Sequence, residues 1–112
     1  MKYKYYFRPG YNSQDLLIEI FSGVEDECFL TDLMDVLSEI NPEVESINDL
    51  WMNDEVLMEI SSDLGFFSIS KDIWDFAFIM ADDNQECLNS INLILQKNKN
   101  FQKVEVDFEN YK

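Results

Sequence analysis

The chain has 112 residues, 8 of them basic and 23 acidic, and a formal net charge of −15; 46% of it is hydrophobic and 14% aromatic. At this length one domain over residues 1–112 is expected. The apolar content is too high for a disordered polymer, and no apolar run approaches the roughly 20 residues that a membrane helix needs.

A surface this acidic repels a phosphate backbone and an anionic lipid headgroup alike. Nucleic acid and membrane are therefore excluded as direct ligands. A cationic protein is the partner that such a field attracts, and solubility alone is the rival reading of the charge. The charge is also uneven. Residues 1–8 carry Lys2, Lys4 and Arg8 and no acid, residues 9–70 carry fifteen acids and no Lys or Arg, and residues 71–112 carry eight acids and five lysines. The opening residues lack the apolar stretch of a secretion signal, so a cytoplasmic protein is expected. Cys28 and Cys87 lie far apart and outside any CxxC, and both are expected as reduced thiols in the core.

Residues 2–8 alternate Lys2 and Lys4 with Tyr3, Tyr5 and Phe7, the period of a strand, and Pro9-Gly10 turns the chain. Tyr6, out of phase with Tyr3 and Tyr5, is expected to be accessible. A second strand spans 15–21, with Leu16, Ile18 and Ile20 on one face and Leu17, Glu19 and Phe21 on the other. A helix then carries Phe29, Leu33, Val36, Leu37 and Ile40 at helical spacing. Its start is open between Ser22 with Glu25 as a capping box and Thr31 as the cap, the latter leaving 26–30 as a short strand. Asn41-Pro42 ends it. Residues 43–53 read as an irregular acidic connection, with room for one helical turn near Ile47.

Three strands are expected next. Val56, Met58 and Ile60 alternate with Glu55 and Glu59, residues 65–70 are rich in β-formers, and Lys71-Asp72 turns the chain into 73–81. That last run is apolar on both faces except at Asp75, as in a central strand. Asp75 itself reads as an edge-protecting charge or as the partner of Lys71 or of an N-terminal lysine. A second helix begins at Asp83 with Glu86 three residues on, buries Leu88, Ile91, Ile94 and Leu95, and places Lys97 and Lys99 at its C-terminal end. Residues 101–108 form a last strand, with Val104, Val106 and Phe108 inward. The order β-β-α-β-β-β-α-β predicts an α+β fold: one mixed or antiparallel sheet with two helices packed on it.

No catalytic constellation emerges. There is no histidine, which removes the usual general base and the commonest metal ligand. The three glycines, Gly10, Gly23 and Gly65, make no phosphate loop. Asp82-Asp83-Asn84 has neither the spacing nor the glycine of a calcium loop. No enzyme activity, cofactor or metal is expected. Leu50-Trp51-Met52, apolar within an acidic stretch, is either folded onto the core or an exposed anchor of the kind enriched at interface centres.

The C-terminal half combines a Phe/Trp-rich strand (66–81), a helix start at Asp83-Asn84, an Ile/Leu helix (88–95) and a Phe-x-x-Val-x-Val-like strand (101–108). Over residues 55–111 this pattern, on a short, acidic, histidine-free chain, resembles the immunity proteins of bacterial contact-dependent inhibition and polymorphic toxin systems. The resemblance implies inhibition by binding: a basic toxin domain, usually a nuclease, is held with its active site or substrate groove blocked. The acids that suit such a partner are Asp32, Asp35 and Glu39, at spacings of three and four on one helix face, then Glu43, Glu45, Asp49 and Asp54, with Trp51 as apolar anchor. Reversing the charge of Asp32, Asp35 and Glu39 together is expected to weaken binding and leave the fold intact. Two other classes fit the composition: a DNA-mimic inhibitor of the anti-restriction or anti-CRISPR type, and a non-catalytic adaptor that pairs an exposed strand with a partner or with itself in a homodimer.

Overall fold

A computed structural model describes residues 2–10, 15–50, 55–81 and 83–105. The chain is an α+β protein whose described residues build one seven-stranded mixed sheet. Strands β1 (Tyr3–Pro9) and β2 (Leu16–Ser22) are followed by helix α1 (Phe29–Val36), which tightens into a 3₁₀ turn (Leu37–Ile40). Four strands come next: β3 (Glu43–Leu50), β4 (Glu55–Ser62), β5 (Gly65–Asp72) and β6 (Ala77–Met80). Helix α2 (Gln85–Lys97) and the short strand β7 (Phe101–Lys103) close the described part. In space the strands run β3-β4-β5-β6-β2-β1-β7. All neighbours are antiparallel except β1 and β7, which pair in parallel.

Alternation sends one set of side chains to the core: Tyr3 and Tyr5, Ile18 and Ile20, Ala77 and Ile79, Phe67 and Ile69, Met58 and Ile60. Register confirms that they share a face, because Ile60 opposes Phe67, Met58 opposes Ile69, and Ile69 opposes Ile79. Both helices lie on that face. Phe29 of α1 meets the Tyr3 ring edge-on at 5.6 Å, and Asn92 of α2 accepts from the Tyr5 hydroxyl at 2.9 Å; Tyr3 and Tyr5, two residues apart on one strand, point the same way. From Phe29 beside β1, the helix and its 3₁₀ extension run to the β4–β5 turn, where the Asp63 amide donates to the Ile40 carbonyl. This crossing delivers the chain to the far edge, where β3 begins.

Two features set the turns. Gly23 adopts φ +93° after β2, where a Cβ would lie 2.5 Å from the Tyr3 ring and 2.6 Å from the Lys2 carbonyl oxygen. Asn84, at the start of α2, accepts from the Cys87 amide and donates its own amide to the Leu64 carbonyl. One side chain thus caps the helix and fastens the β4–β5 turn.

Several sequence expectations are corrected. Residues 43–50 are an edge strand, not an irregular connection or a helical turn. The sheet pairing shifts between Val44 and Ser46, so Glu45 is an extra residue. Such a bulge breaks period-two alternation and leaves Val44 and Ile47 on one face at a spacing of three. Residues 73–76 are a turn rather than strand, and β5 runs on through Asp72. Asp75 is exposed, with φ +62°, and does not sit within a strand. The first helix starts at Phe29, with Cys28 at its cap position and no side-chain cap, so neither the Ser22 nor the Thr31 start is adopted and 26–30 is not a strand. Asn84, not Asp83, caps the second helix. Cys28 is exposed, and only Cys87 is in the core; both are free. The last strand is described only over Phe101–Lys103, and residues 106–108 lie outside the described residues. Among the described residues no helix is long and apolar enough to cross a membrane.

Gly23→Ala is expected to cost about 2 kcal/mol or more, from backbone strain at positive φ and the clash with Tyr3. Urea unfolding checks this: the midpoint falls while the slope stays unchanged.

Candidate functional site

The expected acids divide into three situations. Asp32, in the first turn of α1, is engaged within the fold. Its Oδ2 accepts from both the Tyr3 hydroxyl and Lys2 Nζ, and Lys2 also reaches Asp26 at 3.4 Å. The Tyr3 hydrogen bond, then Lys2, hold the Asp32 carboxyl below the usual range. In return, burial first and then Asp32 push the Tyr3 phenol up to about 12. Asp26 is lowered mainly by the Cys28 amide that donates to it. Asp35 lies further along α1 and is exposed, as is Glu39. Glu39 belongs to the 3₁₀ turn, where Leu37 and Ile40 face inward at a spacing of three. Asp32, Asp35 and Glu39 therefore do not form one uniform α-helical face. Charge reversal at Asp32 would also break the tie between β1 and α1.

The second group lies on β3, where Glu43 to Asn48 are all exposed. Glu45, the bulged residue, accepts from the Ser61 hydroxyl. Asp49 pairs with Val56 in the register. Val44 and Ile47 oppose Ile60 and Met58, which places them on the helix side of the sheet, yet they are 44% and 63% exposed. The helices cover β4 but stop short of β3. Trp51 and Asp54 lie outside the described residues.

Sequence reasoning missed the third group. At the tip of the β5–β6 hairpin, Ile73, Trp74 and Phe76 are exposed, Trp74 by 72%. Asp72 Oδ1 accepts from the amides of both Trp74 and Phe76, an Asx-type clasp that holds the loop in shape. The signal was present in the sequence: an aspartate before the run and another inside it suit a loop better than a buried strand. Register puts this tip near β3, since Asp72 opposes Glu55 and Glu55 opposes Leu50. The apolar tip thus lies at the Leu50 end of β3, while Glu43 and Glu45 lie at the other end, beside the β4–β5 turn.

The helix-free face also holds a depression of about 680 Å³, lined by Leu57, Glu59, Phe66, Ser68, Met80 and Asn84 among others. Glu59 there accepts from the Ser68 hydroxyl. On the same face Arg8, buried, donates to Glu19 at 2.7 Å, and Tyr6 stacks on Phe21 at 4.2 Å, half-buried rather than open. Burial pushes the Cys87 thiol up, which keeps it protonated and unreactive. Among the described residues no group of three or more His, Cys, Asp or Glu is placed to hold a metal ion. What the described surface presents is anionic and apolar contact.

A group whose folded pKa is depressed stabilises the fold above its unfolded value and loses that contribution as pH falls through the folded one. Asp32 behaves in this way. In Tyr3→Phe, carboxyl NMR titration is expected to show the Asp32 pKa moving up toward the ordinary value of about 3.9. An unmoved value would assign the whole effect to Lys2.

No protein-family model, curated protein or solved structure matches the chain.

Proposed function

We propose that the protein is a non-catalytic inhibitor of the immunity type, which binds a basic toxin domain and blocks its active site or substrate groove. The partner's expected chemistry is that of a nuclease, whose groove is cationic because its substrate is a polyanion. The observation that carries this reading is the separation of charge along the sheet. From residue 9 to residue 70 there is no Lys or Arg, and the sheet order gathers β3 and β4 of that segment at one edge. The described cations other than Lys71 belong to β1, β7, the end of α2 or the residues beside them: Lys2, Lys4, Arg8, Lys97, Lys99 and Lys103.

Acids alone make association fast but rarely tight, because affinity concentrates in a few desolvated anchors. Trp74, beside the Asp72 clasp, supplies such an anchor at the end of the sheet where β3 finishes. The two amide hydrogen bonds to Asp72 restrain the loop backbone, which lowers the entropy lost on binding.

The test is capture from the source cell's lysate on the tagged chain, followed by binding and protection assays with the purified partner. One basic protein is expected. Its affinity should fall steeply between about 50 and 500 mM salt, and its toxicity should be suppressed by this chain. An acidic or neutral partner, or binding indifferent to salt, would sink the reading. Capture of a host nucleic-acid enzyme, with no toxin, would replace it with mimicry of nucleic acid.

Two variants probe the surface. Asp35→Lys with Glu39→Lys is expected to slow association and weaken binding while thermal stability holds. Trp74→Ala is expected to cost about 2 kcal/mol of binding and less than about 0.5 kcal/mol of stability, as read by calorimetry and thermal melts.

A further inference from the structure

Among the described residues no strand pairs with the outer side of β3. It is the outer member of the sheet, eight residues long, and exposed from Glu43 to Asn48. An edge strand presents a row of backbone donors and acceptors on its outer side, and proteins guard such rows with charge, bulges or cover. Here the guards are a bulge at Glu45 and carboxylates of one sign. Guards of a single sign are selective. They repel an acidic strand and a second copy of this same edge, and they attract a strand that carries Lys or Arg. Val44 and Ile47, brought to one face by the bulge, continue the row of Met58 and Ile60 beyond the helices. Alternate apolar side chains of an added strand would extend that row.

We infer that an extended, Lys- or Arg-bearing segment of the partner adds to β3 as an eighth strand. The inference rests on the binding function proposed above and adds its mode: main-chain hydrogen bonds for affinity, with the Glu43 and Glu45 carboxylates and the Val44–Ile47 seat for selection. A second copy of this chain is the disfavoured occupant, because β3 against β3 would bring Glu43 and Glu45 against carboxylates and leave them uncompensated.

The probe is a synthetic peptide of about ten residues alternating Lys with Val, a length matched to one strand. Two controls accompany it: the same charge interrupted by proline, and a Glu-for-Lys version. Amide hydrogen exchange and NMR shifts of the full chain give the readout. Alternate amides between Glu43 and Asn48 are expected to gain protection with the Lys peptide and with neither control. Glu43→Lys should weaken the peptide about tenfold while protection of β4 and β5 is retained, which shows that the variant is folded. Equal binding of the proline-interrupted peptide would overturn the inference, since charge alone would then suffice. So would self-association through β3 without peptide, or a basic partner whose bound state leaves β3 amides unprotected. That last result leaves the inhibitor reading standing. Conversely, β3 protection by the peptide supports the added strand even when no toxin is captured.

Discussion

The Tyr3 ring is where the fold is tied together. It stacks on Phe101 of β7 at 4.8 Å, meets Phe29 of α1 edge-on, and sends its hydroxyl to Asp32 one turn further along the helix. One fully buried side chain therefore joins the N-terminal strand, the first helix and the last described strand. A buried phenol needs a partner for its hydroxyl. Asp32 meets that need, and Tyr5 repeats the solution two residues on with Asn92 of α2. Each helix is thus registered against β1 by a tyrosine hydroxyl as well as by apolar packing. Gly23 belongs to the same arrangement, since only a residue without a side chain lets the chain pass so close to the Tyr3 ring.

That anchorage at one edge leaves the other edge free. The helices cover the sheet from β7 to β4, and β3 projects beyond them with its apolar and acidic side chains in solvent. The Trp74 tip, between the inner strands β5 and β6, projects at the end of the sheet where β3 finishes. Both described helices lie on one face of the sheet and stop short of β3, so β3 is exposed from Glu43 to Asn48. The packing of the core does not use the carboxylates of Asp35, Glu39 or Glu43, which are exposed. Asp32 shows the contrast: in the sequence it is indistinguishable from Asp35, yet in the fold it is committed to Tyr3 and Lys2.

The α+β class, both helices and most strand faces were legible from periodicity alone. Leu16, Ile18 and Ile20 divide from Leu17, Glu19 and Phe21 as alternation requires, and the α2 stripe of Leu88, Ile91, Ile94 and Leu95 is buried. What stayed hidden has a local cause in each case. The bulge at Glu45 placed two apolar residues three apart and disguised β3 as irregular chain. The apolar run 73–81 looked like continuous strand because a hairpin tip that exposes Ile73 and Trp74 has the composition of a core. The cap of α2 moved from Asp83 to Asn84, a residue whose amide also serves the β4–β5 turn, a tertiary demand that local pattern cannot carry. The acidic surface was legible as charge, while its gathering at one edge depended on strand order.

The parallel pairing of β1 with β7 has a kinetic meaning. Strands β3 to β6 follow one another in sequence with few residues between them, as do β1 and β2, so each of these pairings closes a small loop. The β1–β7 contact joins residues near opposite ends of the described chain and requires α2 to be in place between them. Local pairings of this kind form ahead of distant ones, because less chain entropy is lost in making them. By this entropic argument the meander that bears the acidic edge is favoured to pair before the N-terminal strand is locked between β2 and β7.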